Sequence, residues 1–299
     1  MKTNKKLIVI AGPTGVGKTD LAIELAVRFG TEIVSADARQ VYKELEIGVA
    51  KPGSEQQAAC THHLISNVSI HEHYNAGRYA IEAYDVITNL FTKHNTVVLC
   101  GGSGLYIDAL LNGLHGLPVA DSELRNQLQK EYEINGLEWL QLQVASRDIV
   151  YYESMDKHNY SRLLRVLEIM KLSGKTMLSL TEVALKKEHD FEVFNYLIDL
   201  PREVLYDRIN KRTEVMMESG WLQECNELVQ HKDLKALQTV GYSELFAHIN
   251  GDLTLAAAVD KIKQHTRNYA KRQLTWFSAK RNYYAYNKAV FEREHRLPK

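Results

Sequence analysis

Short apolar runs, each closed by glycine or polar residues, alternate with segments of helical spacing along the first third of the chain. Leu7 to Ala11 is the first such run and predicts a strand leading into a glycine loop. From Asp20 to Phe29 the apolar positions Leu21, Leu25, Ala26 and Phe29 recur at helical spacing. Glu32 to Ala36 (EIVSA) and Thr96 to Cys100 (TVVLC) read as two further strands, with a helix from about Asn75 to His94 between them. This alternation predicts an α/β fold, a parallel sheet flanked by helices. Ligands in such sheets gather at the carboxyl ends of the strands, so Asp37 and Gly101-Gly102-Ser103 should converge on the glycine loop.

Beyond GLHGLPVADSE the pattern changes. From Asp121 to about Lys187 charge and tyrosine are frequent and no convincing strand appears, so a mainly helical insertion is expected over residues 121–189. The core domain is then discontinuous, 1–120 with 190–299. Phe194 to Leu200 (FNYLIDL) reads as a strand returning to the sheet. Pro201 should open a helix in its first turn, and the chain is largely helical to about Lys280.

Composition narrows the classes. With 299 residues, 45% of them hydrophobic, the chain can bury a core domain and a smaller companion. Formal net charge is zero, so any nucleic-acid contact needs a local basic face and not a global field. Cys60, Cys100 and Cys225 are far apart and form no CxxC pair, which reads as ordinary buried thiols in a reducing cytosol. The basic start followed by a brief apolar run reads as a first strand and not as a targeting segment. No stretch approaches the roughly 18 apolar residues of a membrane span. His62, His63, His71 and His73 lack the cysteines or spaced carboxylates of a metal site and read as a surface or site-adjacent segment.

Residues 12 to 19, GPTGVGKT, match the P-loop pattern at every fixed position and lie between a predicted strand and a predicted helix. Backbone N–H groups of such a loop turn inward onto anionic oxygens, Lys18 adds a point charge, and the Thr19 hydroxyl can ligate Mg²⁺. The chemistry stays open. An ordinary P-loop NTPase holds its magnesium with an acid at the end of a later strand, whereas TVVLC runs into Gly101-Gly102-Ser103. The acid stands instead at Asp37, suited to taking a proton from a nucleophile that attacks a bound phosphate ester. A small-molecule kinase fits the first third of the chain on its own.

Residues 261 to 281, KIKQHTRNYAKRQLTWFSAKR, contain Lys261, Lys263, Arg267, Lys271, Arg272, Lys280 and Arg281 and no acid. Lys263, Arg267 and Lys271 repeat at i, i+4 and i+8 on one helical face, with Tyr269, Trp276 and Phe277 interleaved. Like charges so placed call for a polyanion, and RNA is the natural one, although a solvated basic face has the same pattern.

In order along nearly the whole chain run GPTGVGKT, SADARQVYKELEIGVAKP, HHLI, YNAGRYAIEA, GGSGLY, RLLRVLEI, INKRTEVMMESG, TVGYSEL and HTRNYAKRQLTWF. Together these segments resemble the bacterial tRNA isopentenyltransferase family. The resemblance implies transfer of a dimethylallyl group from dimethylallyl diphosphate to N6 of the adenosine immediately 3′ of the anticodon, position 37 of the tRNA. It implies a diphosphate site at Gly12, Pro13, Thr14, Gly15, Val16, Gly17, Lys18 and Thr19, with Mg²⁺ on Thr19. Asp37 would be the general base, and Lys18, Thr19 and Arg212 would neutralise the leaving diphosphate.

Contacts to the tRNA anticodon stem-loop would come from Asp37, Ala38, Arg39 and Gln40, from Ser103 and Arg125, and from Ser161, Arg162, Leu163, Leu164 and Arg165. Thr239, Val240, Gly241 and Tyr242 would add to them, with Lys263, Arg267, Lys271 and Arg272. A cytoplasmic monomer without a membrane partner is expected. Ala38, Val49 and Ser103 depart from the commoner family residues, and none of the departures removes a group assigned to chemistry. A protein that binds RNA with a regulatory loop, and a prenyltransferase of free AMP, are the other readings.

Overall fold

The computed structural model describes residues 4–113, 117–118, 121–182, 189–280 and 282–295. Contacts divide the chain into two units, Met1–Leu110 with His189–Lys299, and Leu111–Glu188. In chain order the elements are β1 (Lys6–Ala11), α1 (Lys18–Phe29), β2 (Ile33–Ser35), α2 (Ser54–Ala59), β3 (His62–His63), α3 (Ala76–Leu90), β4 (Thr96–Gly101) and α4 (Gly104–Asn112). The second unit holds α5 (Ser122–Ala145), α6 (Ile149–Ser154), α7 (Tyr160–Ser173) and α8 (Met177–Glu182). The chain returns with β5 (Glu192–Leu197), α9 (Arg202–Glu218), α10 (Trp221–Leu228), α11 (Tyr242–Ile249), α12 (Leu255–Ser278), β6 (Tyr284–Ala285) and α13 (Lys288–Glu294).

Among the described residues six strands form one parallel sheet in the order β3-β2-β4-β1-β5-β6. β1 is central, and Leu7 to Ala11 are all buried, as expected of a parallel strand covered on both faces. Ala11 stands opposite Gly101 of β4 and Leu197 of β5, while Ser35 of β2 stands opposite Cys100. This register brings the chain out of β1, β2 and β4 along one edge of the sheet, where the site forms. Ala22, Leu25 and Ala26 of α1 pack on Ile8, Ile10 and Ile33 and anchor the helix that follows the glycine loop.

The second unit, taken by itself, has a core of Leu128, Leu140, Val144, Leu163, Leu167 and their neighbours, and no strand among its described residues. Asp121 caps α5 by accepting from the N–H groups of Glu123 and Leu124, and Asn159 caps α7 by accepting from that of Arg162.

The α/β reading holds, with local differences. Pro201 is the N-cap of α9 and lies one residue ahead of its first turn. β3 and β6 are two-residue strands, too short for a period to be visible. Helix α13 was not expected; its Phe291 packs edge-on against Phe29 and Tyr196. No helix among the described residues is long and apolar enough to cross a membrane.

Candidate active site

The glycine loop leaves β1 and enters α1 at Gly17, whose φ of 96° is left-handed and strains any residue bearing a Cβ. Lys18 folds back so that its Nζ donates to the carbonyl oxygen of Pro13 at 2.7 Å. Arg208 of α9 reaches the same loop, donating to the Val16 carbonyl oxygen at 3.4 Å. Lys18 keeps partial access to solvent but is densely surrounded. Burial pulls its ammonium down to about 8 despite the opposing pull of Cys100 and Asp37.

Past β2, Asp37 heads a tight turn. Its Oδ1 accepts from the N–H groups of Arg39 at 2.8 Å and Gln40 at 3.2 Å, so one oxygen is committed to the backbone. Ala38 donates its N–H to the Ser103 hydroxyl at 2.9 Å. The Arg39 guanidinium donates to the Ala236 carbonyl at 3.0 Å, and the Gln40 amide donates to the carbonyl oxygens of Val49 and Ala50 at 3.2 and 2.9 Å. The DARQ turn is thus stapled to three other segments, to one by backbone and to two by side chains. Arg212 of α9 is largely surrounded, and burial lowers its pKa while the Asp37 carboxylate pulls the other way.

Neither glycine at the end of β4 has room for a side chain. A Cβ on Gly101 would lie 2.1 Å from the Ala36 carbonyl oxygen, and one on Gly102 would lie 2.4 Å from the Gln273 amide nitrogen. Cys100, beside Lys18, has its thiol pushed up to about 11 by burial, so it remains protonated at neutral pH. All three cysteines are free and buried.

Lys18, Thr19, Asp37 and Arg212 line one cavity of about 310 Å³, within the range of small-ligand sites. Thr239 and Val240 contribute to its wall, as do Tyr269 and Gln273 of α12, and Val49, Met216 and Trp221 make an apolar part. No group of three or more His, Cys, Asp or Glu gathers among the described residues, so a divalent ion finds no all-protein cage. One threonine hydroxyl supplemented by phosphate oxygens and water is a donor set that suits Mg²⁺. His62 lines the cavity too. Its Nδ1 donates to the Cys60 carbonyl at 2.8 Å, and burial lowers its pKa.

Lys18 makes the cavity pH-sensitive. A bound diphosphate favours the ammonium, so binding takes up a proton wherever free Lys18 is neutral. Inorganic diphosphate affinity should therefore be retained below pH 8 and fall by up to about tenfold per unit above it. Titration calorimetry from about pH 6.5 to about pH 9.5 checks this against Lys18→Arg, which keeps only the anion's own titration.

Other expected RNA contacts separate. Gly241 donates its N–H to Glu244, and the fully buried Tyr242 donates its hydroxyl to Glu224, which also accepts from the backbone of Ile47 and Gly48. Tyr242 is therefore a packing residue and not an exposed contact. On α12, Lys263 pairs with Glu214 at 2.6 Å and Arg267 donates to Asn210 at 2.7 Å, whereas Lys271 and Arg272 are exposed. The absence of acid from residues 261–281 concealed Glu214, which comes from α9. Arg281 lies outside the described residues.

In the second unit Arg125 and Arg165 stand 3.1 and 3.0 Å from the fully buried Glu168 carboxylate, and Arg165 also donates to the Pro118 carbonyl. Ser161 and Arg162 are exposed, but Leu163 and Leu164 face the core, so their side chains offer no RNA contact. The sequence reading missed Arg208 as a site residue, and it gave the HTRNYAKRQ segment, with Tyr269 and Gln273, to RNA without placing either residue at the cavity. Gln273 carried a signal, a polar residue on the apolar stripe that includes Ala270 and Phe277.

An IPP transferase family profile matches residues 40–281. The tRNA dimethylallyltransferase of Cytophaga hutchinsonii is 43% identical over 275 residues, 92% of this chain and 90% of that protein. The crystal structure of the tRNA isopentenylpyrophosphate transferase from Bacillus halodurans has a TM-score of 0.70 at 32% identity, covering 97% of this chain and 94% of that one. A eukaryotic dimethylallyltransferase acting on tRNA has a TM-score of 0.76 at 26% identity, covering 91% and 69%. By profile, sequence and fold together, the chain belongs to the IPP transferase family.

Proposed function

We propose that this protein transfers a dimethylallyl group from dimethylallyl diphosphate to N6 of the adenosine immediately 3′ of the tRNA anticodon. The observation that carries the reading is a single cavity that joins a phosphate loop, the Asp37 carboxylate and a second cation beneath a basic, aromatic helix. The names of the relatives support it, since they too are tRNA dimethylallyltransferases. A kinase would lack an acid after β4, and the crowding at Gly101 leaves no room for one.

In this reading the diphosphate lies in the loop 12–19, held by backbone N–H groups, Lys18 and Arg212. The N6 lone pair attacks C1 of the dimethylallyl group. The C1–O bond breaks with its electron pair going to the diphosphate, and the N6 proton passes to the free oxygen of Asp37. Lys18 and Arg212 stabilise charge where it builds on the departing oxygen. When bound, Mg²⁺ on the Thr19 hydroxyl would add charge neutralisation of the diphosphate. Val49, Met216 and Trp221 suit the apolar prenyl chain. The target base leaves its stack to enter the cavity, at a cost of a few kcal/mol.

Thr239, Val240 and the exposed face of α12 are proposed RNA contacts, together with Arg125, Ser161, Arg162 and Arg165 in the second unit. Such an enzyme would work in the cytoplasm as a monomer. Purified protein, Mg²⁺, dimethylallyl diphosphate and unmodified tRNA with adenosine after the anticodon should yield a prenylated adenosine by mass spectrometry. No product should form when AMP replaces the tRNA. ADP release with a small-molecule acceptor would instead restore the kinase.

The pairing on α12 refines the expected salt dependence. Lys271→Ala and Arg272→Ala should each flatten the log–log salt slope of tRNA affinity by about 0.7. Lys263→Ala should do so by less, because Glu214 already neutralises that ammonium. Equal slopes in all three variants would move the RNA to another face.

A further inference from the structure

Helix α12 buries Ala258, Ile262, Ala270 and Phe277 along one stripe, and Gln273 lies on the same stripe, 8% exposed. A primary amide in such a place is costly unless both of its ends are bonded. Here both are. Its Oε1 accepts from the N–H of Thr14 in the phosphate loop at 2.9 Å, and its Nε2 donates to the Gly102 carbonyl after β4 at 2.8 Å. Gly102 is the residue that admits it, since a Cβ there would meet the amide nitrogen at 2.4 Å. The next residue, Ser103, holds the turn of Asp37 through the N–H of Ala38. On the outer side of the helix the immediately preceding residues, Lys271 and Arg272, are exposed cations.

We propose that Gln273 is a positioning residue that braces the phosphate loop against the base-bearing turn and couples both to the outer, RNA-facing side of α12. The proposal rests on the prenyltransferase reading for the identity of the RNA, but not for the brace itself. With Thr14 held by the amide, the other loop N–H groups are preorganised for the anion. RNA seated on α12 and diphosphate in the loop then favour the same arrangement, so each tightens the other by one and the same factor.

The test measures inorganic diphosphate affinity with and without an anticodon stem-loop, and stem-loop affinity with and without diphosphate and Mg²⁺. It compares wild type with Gln273→Met, which keeps the volume but loses both bonds, and with Gln273→Leu, which also loses both and adds no charge. Melting curves verify that each variant is folded, and the Leu variant serves if Met is not.

In the folded variant diphosphate affinity should fall about tenfold, the net worth of two neutral hydrogen bonds. Stem-loop affinity without diphosphate should change less than about twofold, and the coupling factor should drop to about one. A wild-type coupling factor of one, unchanged diphosphate affinity in a folded variant, or equal losses for both ligands would overturn the proposal. Failure of the wild type to bind the stem-loop at all would overturn the coupling and the tRNA reading together, while the diphosphate arm still decides the brace.

Discussion

Replacing Asp37 by asparagine should leave a folded, tRNA-binding protein whose turnover is lower by about a thousandfold, within the range for loss of a general base. The choice of asparagine follows from the turn. Asp37 accepts from the N–H groups of Arg39 and Gln40 with one oxygen and lines the cavity, where its other oxygen is the proposed base. Asparagine keeps the acceptor and loses the base. Alanine loses both, so Asp37→Ala should show the same collapse of turnover plus a modest stability loss of about 1 kcal/mol, the usual size for a missing cap. Single-turnover assays with saturating tRNA, alongside tRNA titrations, separate the two roles. Near-normal turnover in Asp37→Asn would remove the base assignment and leave Asp37 as a turn residue only.

The second large effect should come from Gly101. Restoring an acid where a P-loop NTPase keeps one, Gly101→Asp, is expected to damage fold and activity together. The obstacle is the backbone of the neighbouring strand exit. A Cβ at Gly101 would stand 2.1 Å from the Ala36 carbonyl oxygen and 2.4 Å from its carbon, neither of which can rotate away. The turn of Asp37 begins at the next residue, so any relief of the clash moves Asp37. Gly101→Ala alone should cost about 3 kcal/mol, at the upper end for overpacking, and lower the melting temperature measurably. Product formation should fall in parallel. A Gly101→Ala protein that melts and turns over like wild type would mean that the two strand exits do not approach as described.

Much of the site was legible because its parts are local. The phosphate loop is one contiguous stretch, its strand and helix are adjacent, and Asp37 directly follows an apolar run. The convergence of Asp37 and the glycines after β4 followed from the parallel-sheet rule, which needs only strand order and direction. The reading of α12 as a basic face was half of the picture. Spacing placed Lys263, Arg267 and Lys271 together, but could not reveal that Glu214 and Asn210 on α9 meet the first two. Leu163 and Leu164 came in with a matching motif, and burial in the helical unit removes their side chains from any RNA.

What the sequence determined by itself is the set of short-range facts: which stretches are strands or helices, where the P-loop lies, and which charges exist. These depend on residues a few positions apart, whose relative geometry the backbone already constrains. Only the tertiary structure decided which groups satisfy which. Gln273 meets Thr14 across 259 positions of chain, Ser103 meets Ala38 across 65, and Arg125 reaches a buried Glu168 on another helix. A buried polar group must find a partner, but its identity is set by how the elements pack, and no periodicity along the chain encodes that.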